Sequence, residues 1–250
     1  MQAIHNQLTQ LKLAGIKSAL EHQYEIPSTY QEMSFEERLS LLLDEELTQR
    51  ENKRIARLLK QARFRLHGEL EELDYRSGRG LEKSVIRNLA SGQWLSRKQN
   101  ILLTGATGCG KTYLACALGR HLCRQGNSVY YFRLKNLLEE CYQSHADGSY
   151  PKLLGKLAKS ALLIIDDWGL EPLAADQRSD LLEIIDQHYQ KGSILLISQL
   201  PIEEWHRMIG DATHADAILD RLVHGSIKVN LAGESMRKIC SQLTEGDQYM

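Results

Sequence analysis

One run of eight residues has the types and spacing to do phosphate chemistry. Gly105-Ala106-Thr107-Gly108-Cys109-Gly110-Lys111-Thr112 is a glycine-rich bend closed by a lysine and a hydroxyl. The glycines let the backbone curl so that successive N–H groups converge on phosphate oxygens, and a helix opening at Lys111 adds its positive end. Lys111 is expected to reach the β- and γ-phosphates of a nucleotide, and Thr112 to ligate Mg2+, with Tyr113 the last residue of the binding segment. Downstream, the apolar run Ala161–Ile165 ends in Asp166 and Asp167. A strand ending in two acids sets both carboxylates at the C-terminal sheet edge, beside the phosphate bend. Asp166 is expected to hold Mg2+, directly or through water, and Asp167 to orient or deprotonate the attacking water. The competing reading of the two acids is a solvated strand end or a helix cap.

Three further polar residues are candidates for the same chemistry. Gln199 follows the apolar run Ile194–Ser198 and can reach a γ-phosphate and its water from a strand tip. Arg221, near the end of the helical stretch Asp216–Leu222, is a cation that can be presented to a neighbouring subunit's γ-phosphate. Arg237, in Gly233-Glu-Ser-Met-Arg237, is a second cation, facing its own nucleotide. The alternatives are turn polarity for Gln199 and a surface arginine paired with an acid for each of the other two.

The elements that must position these residues change rhythm along the chain. From about residue 98, β-rich runs at Asn100–Thr104, Ser128–Phe132, Leu162–Asp166, Ile194–Ser198 and Ile227–Leu231 alternate with helical segments. Those segments are Lys111–Arg124, Leu134–His145, Pro151–Lys159 and Asp176–Gln190. The alternation predicts an α/β fold with a parallel five-stranded sheet and helices on both faces. Before it, residues 1–75 carry only helical periodicity and read as an all-helical N-terminal domain. Leu8, Leu11, Ile16, Ala19 and Leu20 mark a first segment, broken at Pro27-Ser28. Ser34 and Glu37 look like a capping box for a helix carrying Leu39, Leu42, Leu43 and Leu47 on toward Leu58, Leu59 and Ala62. A third short helix holds Leu66, Leu70 and Leu73. Residues 76–98 are expected to be linker, 99–240 the ATPase domain and 241–250 a polar tail.

Composition excludes several classes. Across 250 residues, 31 Lys and Arg stand against 32 Asp and Glu, a net charge of -1, so contact with nucleic acid must come from local patches. Apolar runs are far too short to span a bilayer, and no secretory signal opens the chain. Five cysteines lack metal-ligand spacing, and Cys109, Cys116 and Cys123 recur every seven residues. They read as reduced, core-filling residues of a cytoplasmic protein.

The motifs GATGCGKT, LLIIDDWGLEPL, ISQLP with a Trp soon after, and AILDRLVH…GESMRK together resemble the IstB-like ATP-binding proteins. Met33–Leu39 and Leu73–Arg76 extend the likeness over nearly the whole chain. That family consists of AAA+ ATPases encoded beside a transposase in bacterial insertion sequences and is similar to DnaC-type helicase loaders. The resemblance implies an AAA+ core that hydrolyses ATP, assembles into multimers on duplex DNA, deforms it, and recruits and stimulates the transposase. It makes Gln199 a first sensor, Arg221 a trans-acting finger and Arg237 a second sensor. Two departures stand out: Asp167 replaces the Glu of many AAA+ proteins, and only thirteen residues follow Arg237, which implies little or no C-terminal lid.

Two basic stretches are candidates for DNA. The helix around Arg50–Arg65 carries Arg50, Lys53, Arg54, Arg57, Lys60, Arg63 and Arg65 against one acid, with Arg50, Arg54, Arg57 and Lys60 on one face. Lys152, Lys156 and Lys159 form a second stripe. The bland alternative is a solvated helix paired with upstream acids. Neither stretch has base-reading chemistry, so binding with little sequence preference is expected, by a protein that is nucleoid-associated when on DNA. Two other readings are a helicase loader, whose N-terminal domain grips a helicase, and a small-molecule kinase, for which no arginine-rich lid is evident.

Overall fold

The computed structural model describes residues 2–73, 75, 80–233 and 235–236. They fall into two units, Met1–Arg57 and Leu58–Met250. Arg237 and the tail 241–250 lie outside the described residues, as does most of the turn-rich stretch after Leu73.

The first unit is helical. Lys12, at φ 58°, breaks the first expected segment into α1 (Gln2–Gln10) and α2 (Ala14–Glu25). Pro27 opens a single turn, α3 (Pro27–Tyr30), because a residue without an N–H suits the first helical position. The capping box forms: Ser34 N–H donates to Glu37 Oε2 at 2.7 Å, and Glu37 N–H to Ser34 Oγ at 3.2 Å. It starts α4 (Phe35–Ala62), 28 residues without interruption. Glu46 of α4 accepts the N–H groups of Gly15 at 2.7 Å and Ile16 at 3.2 Å, capping the start of α2. A Cβ on Gly15 would lie 2.5 Å from Glu46 Cα, so the close approach of the two helices requires glycine there. Leu39, Leu43 and Leu47, which carry the helical periodicity, are exposed, Leu47 by 66%.

The boundary between the units falls at residue 57 rather than 75, because Leu58 and Ala62 of α4 belong to the core of the second unit. The stretch expected as linker also holds two helices, α5 (Lys83–Ala90) and α6 (Gln93–Ser96). They bury Ile86, Leu89, Trp94 and Leu95 in that core. The third short helix is a single 3₁₀ turn, Leu70–Glu72.

The sheet comprises β1 (Ile101–Gly105), β2 (Val129–Arg133), β3 (Leu162–Trp168), β4 (Ser193–Ser198) and β5 (Ile227–Leu231), in the order β2-β3-β4-β1-β5. Every pair is parallel. The connections pass through α7 (Lys111–Arg124), α8 (Leu134–Ala146), α9 (Tyr150–Ala158), α10 (Ala175–His188), α11 (Trp205–Ile209) and α12 (Ala212–Val223). Helices cover both faces, so central strands such as Ser193–Ser198 are buried along their length. Cys109, Cys116, Cys123 and Cys141 are free and buried. Among the described residues no helix is long and apolar enough to cross a membrane.

A short strap, Arg63–Glu69, joins α4 to this core and lies along α7. A Cβ on Gly119 would stand 2.5 Å from the Phe64 ring, and one on Gly68 2.9 Å from Tyr113 O. Glu69 pins the strap, accepting from Arg120 Nη2 at 2.9 Å and Arg124 Nη1 at 2.6 Å. The Arg124 guanidinium beside Glu69 holds its carboxyl down at about 2, against 4.5 for the free side chain. A carboxylate with a depressed folded-state pKa stabilises the fold above its unfolded pKa and loses that contribution as pH falls through the folded value. Glu69→Gln is therefore expected to destabilise the protein by about 1–3 kcal/mol at neutral pH. The difference should shrink between pH 4.5 and about 2, as read by denaturant melts of both proteins across that range.

Candidate functional site

The glycine-rich bend follows β1 at the centre of the sheet, where β1 lies between β4 and β5. Its first residue, Gly105, sits at φ 140°, and a Cβ there would be 2.0 Å from Leu231 O of β5. Gly108, at φ 83°, has Ser235 Oγ at 2.2 Å from where its Cβ would stand. These positions admit only glycine, and the backbone turns back to start α7 at Lys111. The Lys111 ammonium is buried under the bend and donates to Gly105 O and Ala106 O, both at 2.7 Å. Cys109 Sγ lies 3.8 Å from the same ammonium, and Met236 N–H donates to Gly108 O at 2.9 Å.

Thr112 Oγ1 donates to Asp166 Oδ2 at 2.8 Å. Asp166 is 1% exposed and takes a second bond on the same oxygen, from the Tyr131 hydroxyl at 2.7 Å. Burial, reinforced by Asp166, pushes the Tyr131 hydroxyl well above the usual phenol range, so it remains a donor. A hydroxyl and a carboxylate side by side, with no sulfur or imidazole, is the all-oxygen set that a hard divalent cation such as Mg2+ prefers. Among the described residues no group of three or more His, Cys, Asp or Glu is placed to hold a metal, so cation binding here would draw its other ligands from phosphate and water.

Asp167 is built differently. The pairing of β3 with β4 shifts between Ile165 and Trp168, and Asp167 sits in that irregularity at φ 61°. Aspartate is among the few residue types that tolerate this left-handed conformation. Its N–H donates to Asp166 Oδ1 at 2.8 Å. Its own Oδ2 pairs with Arg133 Nε at 3.3 Å, at the end of β2. Gln199, past the end of β4, hydrogen-bonds Thr107 Oγ1 across the bend. Lys111, Thr112, Asp166, Asp167 and Gln199 line one cavity of about 380 Å³, of a size to admit a nucleotide. Tyr113 also lines it, with its hydroxyl turned away to donate to Glu72 Oε2 at 2.8 Å.

Arg221 is elsewhere. Asn100, just before β1, donates to Arg221 O at 2.9 Å and accepts from Ile194 N–H at 2.9 Å, stapling the end of α12 to the N-terminal edge of the sheet. The glycine bend leaves the opposite edge, roughly 16 Å away along five residues of β1. There Arg221 pairs with Asp186 of α10 and donates to Ala217 O at 2.7 Å, with its side chain 29% exposed.

The basic stretches are only partly as expected. α4 stops at Ala62, and Arg63, at φ 55°, turns the chain off the helix, so Arg63 and Arg65 do not continue its basic face. Arg50 is spent on Glu46 at 2.7 Å, and Arg54 lies 3.6 Å from Glu51. Lys53, Arg57 and Lys60 are exposed on α4. Lys152, within α9, and Lys159, just after it, are exposed, while Lys156 is 3.9 Å from Glu140 and 4.7 Å above the Tyr130 ring. Sequence reasoning missed Tyr131 and Arg133. Both sit inside an apolar strand, and only the register of β2 against β3, Arg133 opposite Asp166, brings them to the acids.

Residues 6–244 match the family model described as IstB-like ATP binding protein. The chain belongs to that family. Among its relatives, a Pseudomonas fluorescens protein named as an ATP-binding protein of insertion sequence IS1162 is 50% identical over 197 residues, spanning 78% of this chain and 85% of the relative. A Sinorhizobium fredii insertion sequence ATP-binding protein is 40% identical over 236 residues, 94% and 96% of the two chains. In fold the IstB-like chain is similar to the crystal structure of DnaI, with a TM-score of 0.58 at 18% identity over 71% of this chain and 94% of that one. AMPPCP-bound DnaA from Aquifex aeolicus gives a TM-score of 0.59 at 19% identity, over 73% and 56% of the two chains. The core is thus an AAA+ phosphate-loop fold preceded by a helical N-terminal region.

Proposed function

We propose that this protein is the ATPase helper of an insertion sequence, which uses ATP at subunit interfaces to assemble on duplex DNA and engage its transposase. The observation that carries the proposal is the split between Arg221 and the phosphate bend, at opposite ends of β1. An arginine so placed cannot serve its own nucleotide, but in a head-to-tail array it can serve the neighbour's.

Within one protomer, the backbone of Gly105–Gly110 cradles the phosphates, and Lys111 moves from its two carbonyls onto the β- and γ-oxygens. Thr112 and Asp166 would hold Mg2+, and Tyr131 fixes the Asp166 carboxylate. When bound, the metal offsets charge on the phosphate oxygens. Asp167 accepts the proton of the attacking water and Gln199 orients that water, while Arg221 of the adjoining protomer steadies the charge that develops. The Arg133–Asp167 pair occupies the base between turnovers. Lys53, Arg57 and Lys60 on α4, and separately Lys152 and Lys159, are exposed cations available to DNA phosphates. The fold alone suits a helicase loader equally well; the insertion-sequence relatives favour transposition.

Sedimentation velocity of the full chain on duplex DNA tests the reading. With Mg2+ and ATP, complexes larger than a dimer are expected, and with ADP or no nucleotide only small ones. Equal size in all three conditions would refute ATP-driven assembly.

A further inference from the structure

Arg65 lies in the strap after α4 has ended and faces the nucleotide cavity. It lines the cavity of about 380 Å³ together with Lys111, Thr112 and Asp166. It also lines an adjoining space of about 340 Å³ with Tyr131 and Arg133, the two residues that contact the paired acids. Arg65 is therefore at the acidic end of the site, beside the Thr112–Asp166 pair that would hold the metal.

Its neighbours' charges are already engaged. Lys111 is bonded to two carbonyls, Arg133 to Asp167, and Arg120 and Arg124 to Glu69. Among the described residues the Arg65 guanidinium has no hydrogen-bond or ion-pair partner, and the residue is exposed where it borders the cavity. The backbone beneath it is nevertheless fixed. Phe64 covers Gly119, Gly68 abuts Tyr113 O, and the Cys116 sulfur faces the backbone N–H groups of Leu66 and Arg65. A mobile guanidinium on an anchored backbone, opening onto a phosphate cavity, is suited to grip a terminal phosphate with its planar fork of donors.

We propose that Arg65 contacts the γ-phosphate of the ATP bound in its own protomer, so that the strap, rather than the ATPase core alone, distinguishes ATP from ADP. The inference rests on the reading of the glycine bend as the nucleotide site.

Isothermal titration of the full chain with Mg·ATP and with Mg·ADP decides it. Arg65→Ala should weaken ATP binding about ten- to hundredfold, the loss of one charge-assisted contact. ADP binding should change by less than about twofold, and thermal melting without nucleotide should not move, since no folded-state bond is removed. Arg65→Lys should recover part of the ATP affinity while leaving ADP unaffected. Unchanged ATP affinity, or equal losses for ATP and ADP, would overturn the role of Arg65. Failure of the unmodified protein to bind either nucleotide would instead overturn the assignment of the site, and this inference with it.

Discussion

Lys111→Ala is expected to raise the dissociation constant for Mg·ATP by about a hundredfold or more. The ammonium is buried beneath the glycine bend, held by Gly105 O and Ala106 O, within reach of any anion in the cavity. It is the one cation there delivered by the phosphate loop itself, and two charge-assisted bonds to phosphate contribute about 1.5–3 kcal/mol each. The carbonyls it leaves can turn to water, so melting of the nucleotide-free protein should shift little. Titration with a fluorescent ATP analogue reads the effect. Retained affinity would mean that phosphate is held elsewhere. ATP-dependent assembly should disappear together with binding.

Asp167→Asn should separate binding from turnover. Asparagine tolerates the left-handed backbone at φ 61° as well as aspartate does, so the strand end keeps its shape. Its amide cannot accept a proton, and removing a positioned general base lowers the rate by about 10²–10⁴. ATP affinity should stay within about threefold, because Asp167 belongs to the base position and not to the Thr112–Asp166 pair. Steady-state phosphate release and nucleotide titration on the same preparation give both quantities. A parallel loss of binding and turnover would show that Asp167 holds the metal instead.

The parts of the site set by local rules were legible in the sequence. A glycine bend needs strained φ values, a capping box needs its two side chains three residues apart, and parallel strands need near-continuous apolar runs. Gly105, Gly108, the Ser34–Glu37 pair and all five strands follow from such constraints. What could not be read depends on contacts distant in sequence. Tyr131 and Arg133 reach the acids through strand register, and Arg65 reaches the cavity because Arg63 turns the chain away from α4. Leu39, Leu43 and Leu47 show the same limit in reverse. Helical periodicity identifies the helix that carries them but not its packed face, and the face of α4 used against α2 is the one bearing Glu46, chosen by the glycine at position 15. In residues 76–98, sparse apolar positions and polar ends masked two helices whose Trp94 and Leu89 complete the core.

A mixing experiment tests the central claim, that each site is completed by the next protomer. Asp167→Asn keeps Arg221 and lacks the base; Arg221→Ala keeps the base and the phosphate bend and lacks the finger. Each alone should hydrolyse ATP at a small fraction of the normal rate on duplex DNA. Mixed in equal amounts, they form interfaces in which an intact bend meets an intact Arg221, and activity should recover to about a quarter of the unmodified rate. A mixture no more active than the average of its two components would contradict a shared site.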